Sequence, residues 1–411
     1  YPIFLLIIFF RKLINKEDSK RYKEKIFLNS LSSERNIKKK LLWFHAASLG
    51  EVQSIFPIIH YFNKENSNFE FLITTITLSS GKLVEKEFDR IKNVHHRYLP
   101  IDVQFLVKKF IQIWKPNLVL FVDSEIWPNL IFEMKKQKIT TAIINGRLTE
   151  KSFNKWIKVP KFAQQVFSNF KLCLASSQKS KKFFEFLNIK DVKYLGNIKL
   201  AKNINIDFDK IANKSFLKDR IVWSAVSTHD GEELFCLKAH LKLKKNIQKL
   251  ITFIIPRHIN RCNKIKKMCD ELKLNSQILN ENELISRDKE IIIINSFGSL
   301  SNYLYFSKCV FIGKSIPKKF KFNGGQSPIE AVKLNCKVYH GPHIDNFKEI
   351  YNLLHSFKIA FEVKNEEELI NNLSKDLSLI SEETKNISTK INALGNKILN
   401  DNITEINKIL R

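Results

Sequence analysis

The chain has 411 residues, 44% of them apolar and 27% charged, which allows two domains with substantial cores and excludes a single small binding module. Aromatic residues at 11%, with 33 phenylalanines, exclude an intrinsically disordered chain. Sixty-nine Lys and Arg against 41 Asp and Glu leave a formal charge of +28. That invites a polyanionic partner (nucleic acid, an anionic membrane surface or a phosphorylated substrate), although heavy use of Lys, Asn and Ile everywhere assigns part of it to compositional drift.

Residues 1–10 are continuously apolar and are followed by Arg11, Lys12, Lys16, Lys20, Arg21, Lys23 and Lys25. A bilayer crossing takes roughly 20 apolar residues. Residues 1–12 are therefore expected to be part of a longer N-terminal membrane anchor, with the basic flank on the cytoplasmic side. A signal peptide fits less well, because the charges come after the apolar run and no small-residue cleavage site follows.

From residue 40 onward, short apolar runs alternate with longer amphipathic ones. Strands are expected at 41–45, 71–75, 118–122, 141–144 and 171–175, each followed by a helix. A polar stretch around residue 210 interrupts the rhythm. It resumes at 221–225, 250–255, 290–295, 309–312 and 337–339, and the tail from 362 reads as polar helices. This βαβ order predicts two Rossmann-like α/β domains, at 22–205 and 215–411. The six cysteines show neither a CxxC pair nor a Cys/His cluster at metal spacing, so no metal site is expected and a reducing cytosol is the default compartment.

In open parallel sheets, ligands bind beyond the carboxyl ends of the strands. After the first strand comes HAASLGE (45–51), small residues that let the backbone approach a ligand, with a helix expected to begin near Glu51. After the third comes DSEIWPN (123–129), with two carboxylates at a strand end. Glu51 and Glu125 also read as first-turn acids complementing a helix dipole. In the second half, STHDGEE (227–233), PRH (256–258), NSFGS (295–299) and FNGGQSPIE (322–330) follow strands. The Gly324-Gly325 pair before a Ser-Pro helix start offers backbone N–H groups to a phosphate, and Glu330 is placed to accept from ribose hydroxyls. Read singly, the Gly-Gly pair is equally a plain turn and Arg257-His258 a surface pair.

Together with NGRLTEKS (145–152), LGNIK (195–199) and GPHIDNFKEI (341–350), these motifs occur in an order that resembles the 3-deoxy-D-manno-octulosonic acid (Kdo) transferases, from about residue 22 to 352. The resemblance implies a GT-B glycosyltransferase: two Rossmann-like domains facing across a cleft, the acceptor on the N-terminal side and the nucleotide sugar on the C-terminal side. The implied donor is CMP-Kdo and the implied acceptor a lipid A precursor, with inversion at the anomeric carbon. No metal or other cofactor, and no nucleic-acid partner, is expected. An anionic membrane surface is expected, at the cytoplasmic face of the inner membrane. By the same resemblance Glu51 is the general base, Asp123 and Lys199 assist the transition state, and Pro256, Arg257, Phe297, Gly298, Ser299, Ser327, Pro328, Ile329 and Glu330 contact CMP.

The sequence departs from that family at three places. Asp123 stands where Glu is usual, Gly-Gly-Gln-Ser-Pro replaces Gly-Gly-His-Asn-Pro, and Gly313-Lys314-Ser315 with a Lys-rich insertion replaces Gly-Gly-Ser. Two other readings stay open at this point. A GT-B enzyme using a different nucleotide sugar keeps the architecture. A basic nucleic-acid binder accounts for the charge but lacks aromatic-interleaved basic motifs.

Overall fold

The computed structural model describes residues 1–65, 68–204, 206, 213–296, 298, 300–378 and 386–410. They fall into two compact units, Tyr1–Lys202 with Leu394–Arg411, and Asn203–Ala393. The expected linker near residue 210 lies largely outside the described residues.

The first unit is built on β1 (Lys40–His45), β2 (Phe69–Thr75), β3 (Val94–Tyr98), β4 (Leu118–Val122), β5 (Thr140–Gly146), β6 (Leu172–Ala175) and β7 (Val192–Tyr194). They pair in parallel in the order β3-β2-β1-β4-β5-β6-β7, with Phe44 facing Ile73 on one side and Leu120 on the other. β2 and β4 are buried along their whole length, as strands covered by helices on both faces must be. Trp43, Phe110, Trp114, Phe121, Phe167 and Phe170 fill one of its cores. The strand order reverses between β1 and β4, so HAASLGE and DSEIWPN emerge side by side at the switch point.

The second unit repeats the plan with β8 (Ile221–Thr228), β9 (Leu250–Pro256), β10 (Ser276–Leu279), β11 (Ile291–Ile294), β12 (Ser307–Ile312), β13 (Lys337–His340) and β14 (Ala360–Glu362). The order is β10-β11-β9-β8-β12-β13-β14, again parallel, reversing between β8 and β12.

Every expected strand is present. The four unforeseen ones, β3, β7, β10 and β14, are the four sheet edges. Edge strands are half-exposed and carry little apolar signal. β3 reads Val-His-His-Arg-Tyr, and its histidines are held by Glu70 (2.6 Å from His95) and Thr75 (2.9 Å from His96).

One expectation needs correction. The C-terminal domain does not keep the whole stretch 215–411, because residues from Leu394 onward belong to the first unit. There Glu405 pairs with Lys193 of β7 at 2.5 Å, and Ile398 and Ile406 are buried. The helical pattern of the tail gives its apolar stripe but not the core it joins. Residues 1–12, expected as part of a longer membrane anchor, lie in a short helix. Helix Pro2–Leu13 is 12 residues long, about 18 Å at 1.5 Å per residue, and among the described residues no helix is long and apolar enough to cross a membrane. It buries Ile8 against Tyr22 and Ile26 and leaves Ile3, Leu6, Phe10 and Leu13 exposed. The following segment is tied down by Glu17, which pairs with both Arg11 and buried Lys25.

Candidate functional site

Asp123, the residue after β4, is buried and has φ of 62°, a left-handed conformation that Asp and Asn tolerate better than other non-Gly residues. Its carboxylate Oδ2 lies 3.4 Å from Lys199 Nζ. Lys199 sits in a short turn, Ile198–Ala201, whose first N–H donates to Asn145 Oδ1 at 3.0 Å. Asn145, near the end of β5, is also left-handed, with φ of 51°. Two strained strand ends thus hold the lysine against the acid. Burial pushes the Asp123 pKa up, while the charges of Lys199 and Arg147 pull it down.

Glu51 lies in the first turn of helix Leu49–Glu65, which starts two residues before the expected place. Its Oε2 accepts the Ala47 backbone N–H at 2.8 Å and its Oε1 the Ser48 hydroxyl at 2.7 Å. Burial raises its pKa above the ordinary glutamate value, and the negative charges of Asp123 and Glu125 add to the rise. Glu125 is not the first-turn acid of the next helix. That helix, Pro128–Lys136, is capped by Asp102, which accepts from Asn129 and Leu130 at 3.0 and 2.9 Å. Glu125 instead accepts the Trp127 indole N–H at 3.1 Å and lies 3.5 Å from His45 Nε2. Trp127 also donates to His45 Nε2, which leaves the other ring nitrogen, 2.9 Å from Thr74 Oγ1, to carry the proton.

In the second unit Pro256 is the buried last residue of β9, and exposed Arg257 follows it, its backbone N–H donating to the Thr228 carbonyl at 3.1 Å. Gly298 has φ of 90°, whereas Phe297 and Ser299 lie outside the described residues. Ser327 is exposed, Pro328 and Ile329 are buried, and Glu330 receives the Ser301 hydroxyl on Oε1. The Gly-Gly turn is less open than expected, since the Gly325 N–H donates to the Lys314 carbonyl at 2.7 Å. A Cβ at Gly324 would lie 2.4 Å from the His343 carbonyl oxygen, so the turn tolerates no side chain there. Among the described residues no group of three or more His, Cys, Asp and Glu is placed to hold a metal ion.

Residues 20–202 match the family model described as 3-deoxy-D-manno-octulosonic-acid transferase (kdotransferase). A 3-deoxy-D-manno-octulosonic acid transferase of Rickettsia bellii is 31% identical over 413 residues, covering 99% of this chain and 96% of that protein. The chain belongs to the Kdo transferase family. A Kdo transferase of Haemophilus influenzae is 29% identical, covering 90% and 85% of the two chains. Among solved structures, a glycosyltransferase from Rickettsia africae (TM-score 0.60, 14% identity, 91% of this chain, 99% of that one) and a UDP-GlcNAc 2-epimerase from Neisseria meningitidis (0.61, 14%, 90%, 99%) share the two-unit parallel α/β fold.

Within this Kdo transferase family member the structure brings Asp123 to Lys199 and places both Asp123 and Glu125 in the field of Glu51. Sequence reasoning singled out no role for Asn145, Ser301 or Glu232. Each lies in or beside a recognised motif, and only the three-dimensional contact shows what it does. Glu232 is fully buried, and its two oxygens accept four backbone N–H groups, those of Lys314 (2.7 Å), Ser315 (2.8 Å), Ile316 (3.1 Å) and His229 (2.9 Å).

Proposed function

We propose that the protein transfers Kdo from CMP-Kdo to the lipid A precursor lipid IVA, with inversion, in lipopolysaccharide biosynthesis at the cytoplasmic face of the inner membrane. The observation that carries this reading is the Glu51, Asp123 and Lys199 arrangement at the β1/β4 switch point.

A sugar hydroxyl is a weak nucleophile at neutral pH, and a positioned carboxylate relieves it of its proton. Glu51 fills that role: Ala47 and Ser48 fix its two oxygens, and each keeps a lone pair for the acceptor hydroxyl. As the acceptor oxygen bonds to the anomeric carbon, the bond from that carbon to the CMP phosphate breaks and its electron pair leaves with CMP. The proton ends on Glu51. Positive charge builds on the sugar, and an ionised Asp123 opposes it. The Lys199 ammonium, 3.4 Å away, favours the ionised form against the effect of burial. Arg257, Gly298, the 327–330 turn and, in the same reading, Phe297 and Ser299 hold CMP, and Arg257 answers the growing charge on its phosphate. The activated group travels with the donor, so no cofactor or metal enters the scheme.

The test is incubation with CMP-Kdo and lipid IVA followed by mass spectrometry of the lipid. A mass increase of one or more Kdo residues is expected, and an unmodified lipid would refute the reading.

A further inference from the structure

In the Lys-rich loop after β12 the backbone N–H groups are occupied, and the free positive charge lies on side chains. Three successive N–H groups, at 314, 315 and 316, form a nest of the kind that cradles phosphates, but the Glu232 carboxylate already occupies it. The side chains of the same loop converge elsewhere. Lys314 Nζ and Lys319 Nζ lie 5.9 and 5.2 Å from the centre of the Phe320 ring, and that ring packs edge-on against His229 with centroids 5.0 Å apart. His258, beside Arg257, also packs edge-on against His229, with centroids 5.7 Å apart.

This cluster is cationic and uncompensated. The nearby acids are committed: Asp230 to Arg261 and Lys264, Glu233 to Arg261, and Glu232 to the amides. Among the described residues no carboxylate pairs with Arg257, His258, Lys314 or Lys319. His229 Nε2 is buried without a hydrogen-bond partner. The surrounding charges leave their mark: burial, then His258, Lys314, Lys319 and Arg257, hold the His229 pKa down at about 4, and burial with Arg257 lowers that of Lys314. Like charges held together without a counter-ion make a strong site for an anion.

We propose that Lys314, Lys319 and His229 form a second anion subsite that receives the carboxylate of the sugar acid on the donor, while Arg257 receives its phosphate. This rests on the proposed function, whose donor carries both anions one carbon apart. The carboxylate subsite selects a nucleotide-activated 2-keto sugar acid over a neutral nucleotide sugar.

The experiment compares the KM for CMP-Kdo with the inhibition constant of CMP, which lacks the sugar carboxylate. In Lys314→Ala/Lys319→Ala, KM should rise about tenfold or more while CMP inhibition stays within about twofold. Arg257→Ala should weaken both. Lys314→Arg/Lys319→Arg, which keeps the charge, should stay near the parent KM. If the double alanine variant unfolds at a lower temperature, Lys319→Ala alone, at an exposed position, gives the same comparison with a smaller rise. An unchanged KM overturns the subsite. A parallel rise in both constants also overturns it, moving the cluster to the phosphate. Absence of turnover in the parent chain would count against the proposed function instead.

Discussion

Asp123 and Lys199 meet at 3.4 Å, each carried by a backbone that something else holds in place: Asp123 by its own left-handed strand end, Lys199 by the hydrogen bond from Ile198 to Asn145. The charge of the lysine opposes the upward push that burial gives the acid's pKa. Asp123→Asn keeps the left-handed backbone and the shape but removes the charge. Turnover should fall by roughly 10²-fold or more, with little change in thermal stability. Lys199→Met removes the group that lowers the Asp123 pKa, so that pKa rises and the acid limb of the pH–rate profile should move to higher pH. An Asn variant with full activity would reduce Asp123 to a turn former.

Glu51 must be ionised to accept a proton, so kcat should decline as pH falls through its raised pKa. Glu51→Gln preserves size and hydrogen bonding but accepts no proton. Its turnover should fall by roughly 10²- to 10⁴-fold while CMP binding stays normal. Because the Glu125 charge is one cause of the raised pKa, Glu125→Gln should shift the acid limb to lower pH. A limb that stays in place would separate Glu125 from the base.

Much of this was legible in the sequence, and the boundary of legibility is physical. Strands buried on both faces leave unbroken apolar runs, so the interior strands of both sheets could be read directly, whereas β3, with two histidines and an arginine, could not. Strand-end motifs drew attention to Glu51, Asp123 and Arg257, and the family resemblance alone to Lys199. The partner of each group was hidden, because Asn145 stands 53 residues from Ile198 and Glu232 stands 82 from Lys314. Nothing in the order of residues says that Asp102 caps the helix after Glu125, and so leaves Glu125 to Trp127 and His45, or that the last helix returns to the first unit.

Arg257 projects from the end of β9, exposed and with no carboxylate partner among the described residues. Arg257→Ala removes a charged donor commonly worth on the order of 2 kcal/mol, so CMP affinity by calorimetry should weaken about thirtyfold. Unchanged affinity would place the nucleotide elsewhere.

Glu232 links the start of helix Glu232–Leu243 to the loop after β12. Through Ser315 and Lys314 that loop carries Gly341 and Gly325, so the brace extends to the turn at 324–330. Glu232→Gln leaves one oxygen for four N–H donors and turns an amide NH₂ toward two of them. It should cost about 3 kcal/mol, seen as a lower unfolding temperature, and should weaken CMP binding as well. A variant with lowered stability but full CMP affinity would limit Glu232 to holding the fold.

The N-terminal helix bears on where the protein works. Of the seven basic residues after the apolar run, Arg11 and Lys25 are engaged by Glu17, and Arg21 by Glu24 and Glu85. Among the described residues Lys12, Lys16, Lys20 and Lys23 have no carboxylate partner; Lys12 lies over the Tyr22 ring at 4.4 Å, and the helix leaves Ile3, Leu6, Phe10 and Leu13 exposed. Exposed apolar side chains followed in the sequence by lysines without carboxylate partners suit an anionic bilayer surface, where each basic side chain contributes about 1 kcal/mol, screened by salt. The full chain should therefore co-sediment with vesicles containing anionic lipid at low salt and release in part as salt rises. Neutral vesicles should hold it more weakly. Replacing Ile3, Leu6 and Phe10 by Ser should weaken binding at every salt concentration, whereas replacing the four lysines by Ala should remove mainly the salt-sensitive part. Equal binding to neutral and anionic vesicles, indifferent to salt, would overturn the electrostatic account and return the +28 charge to compositional drift.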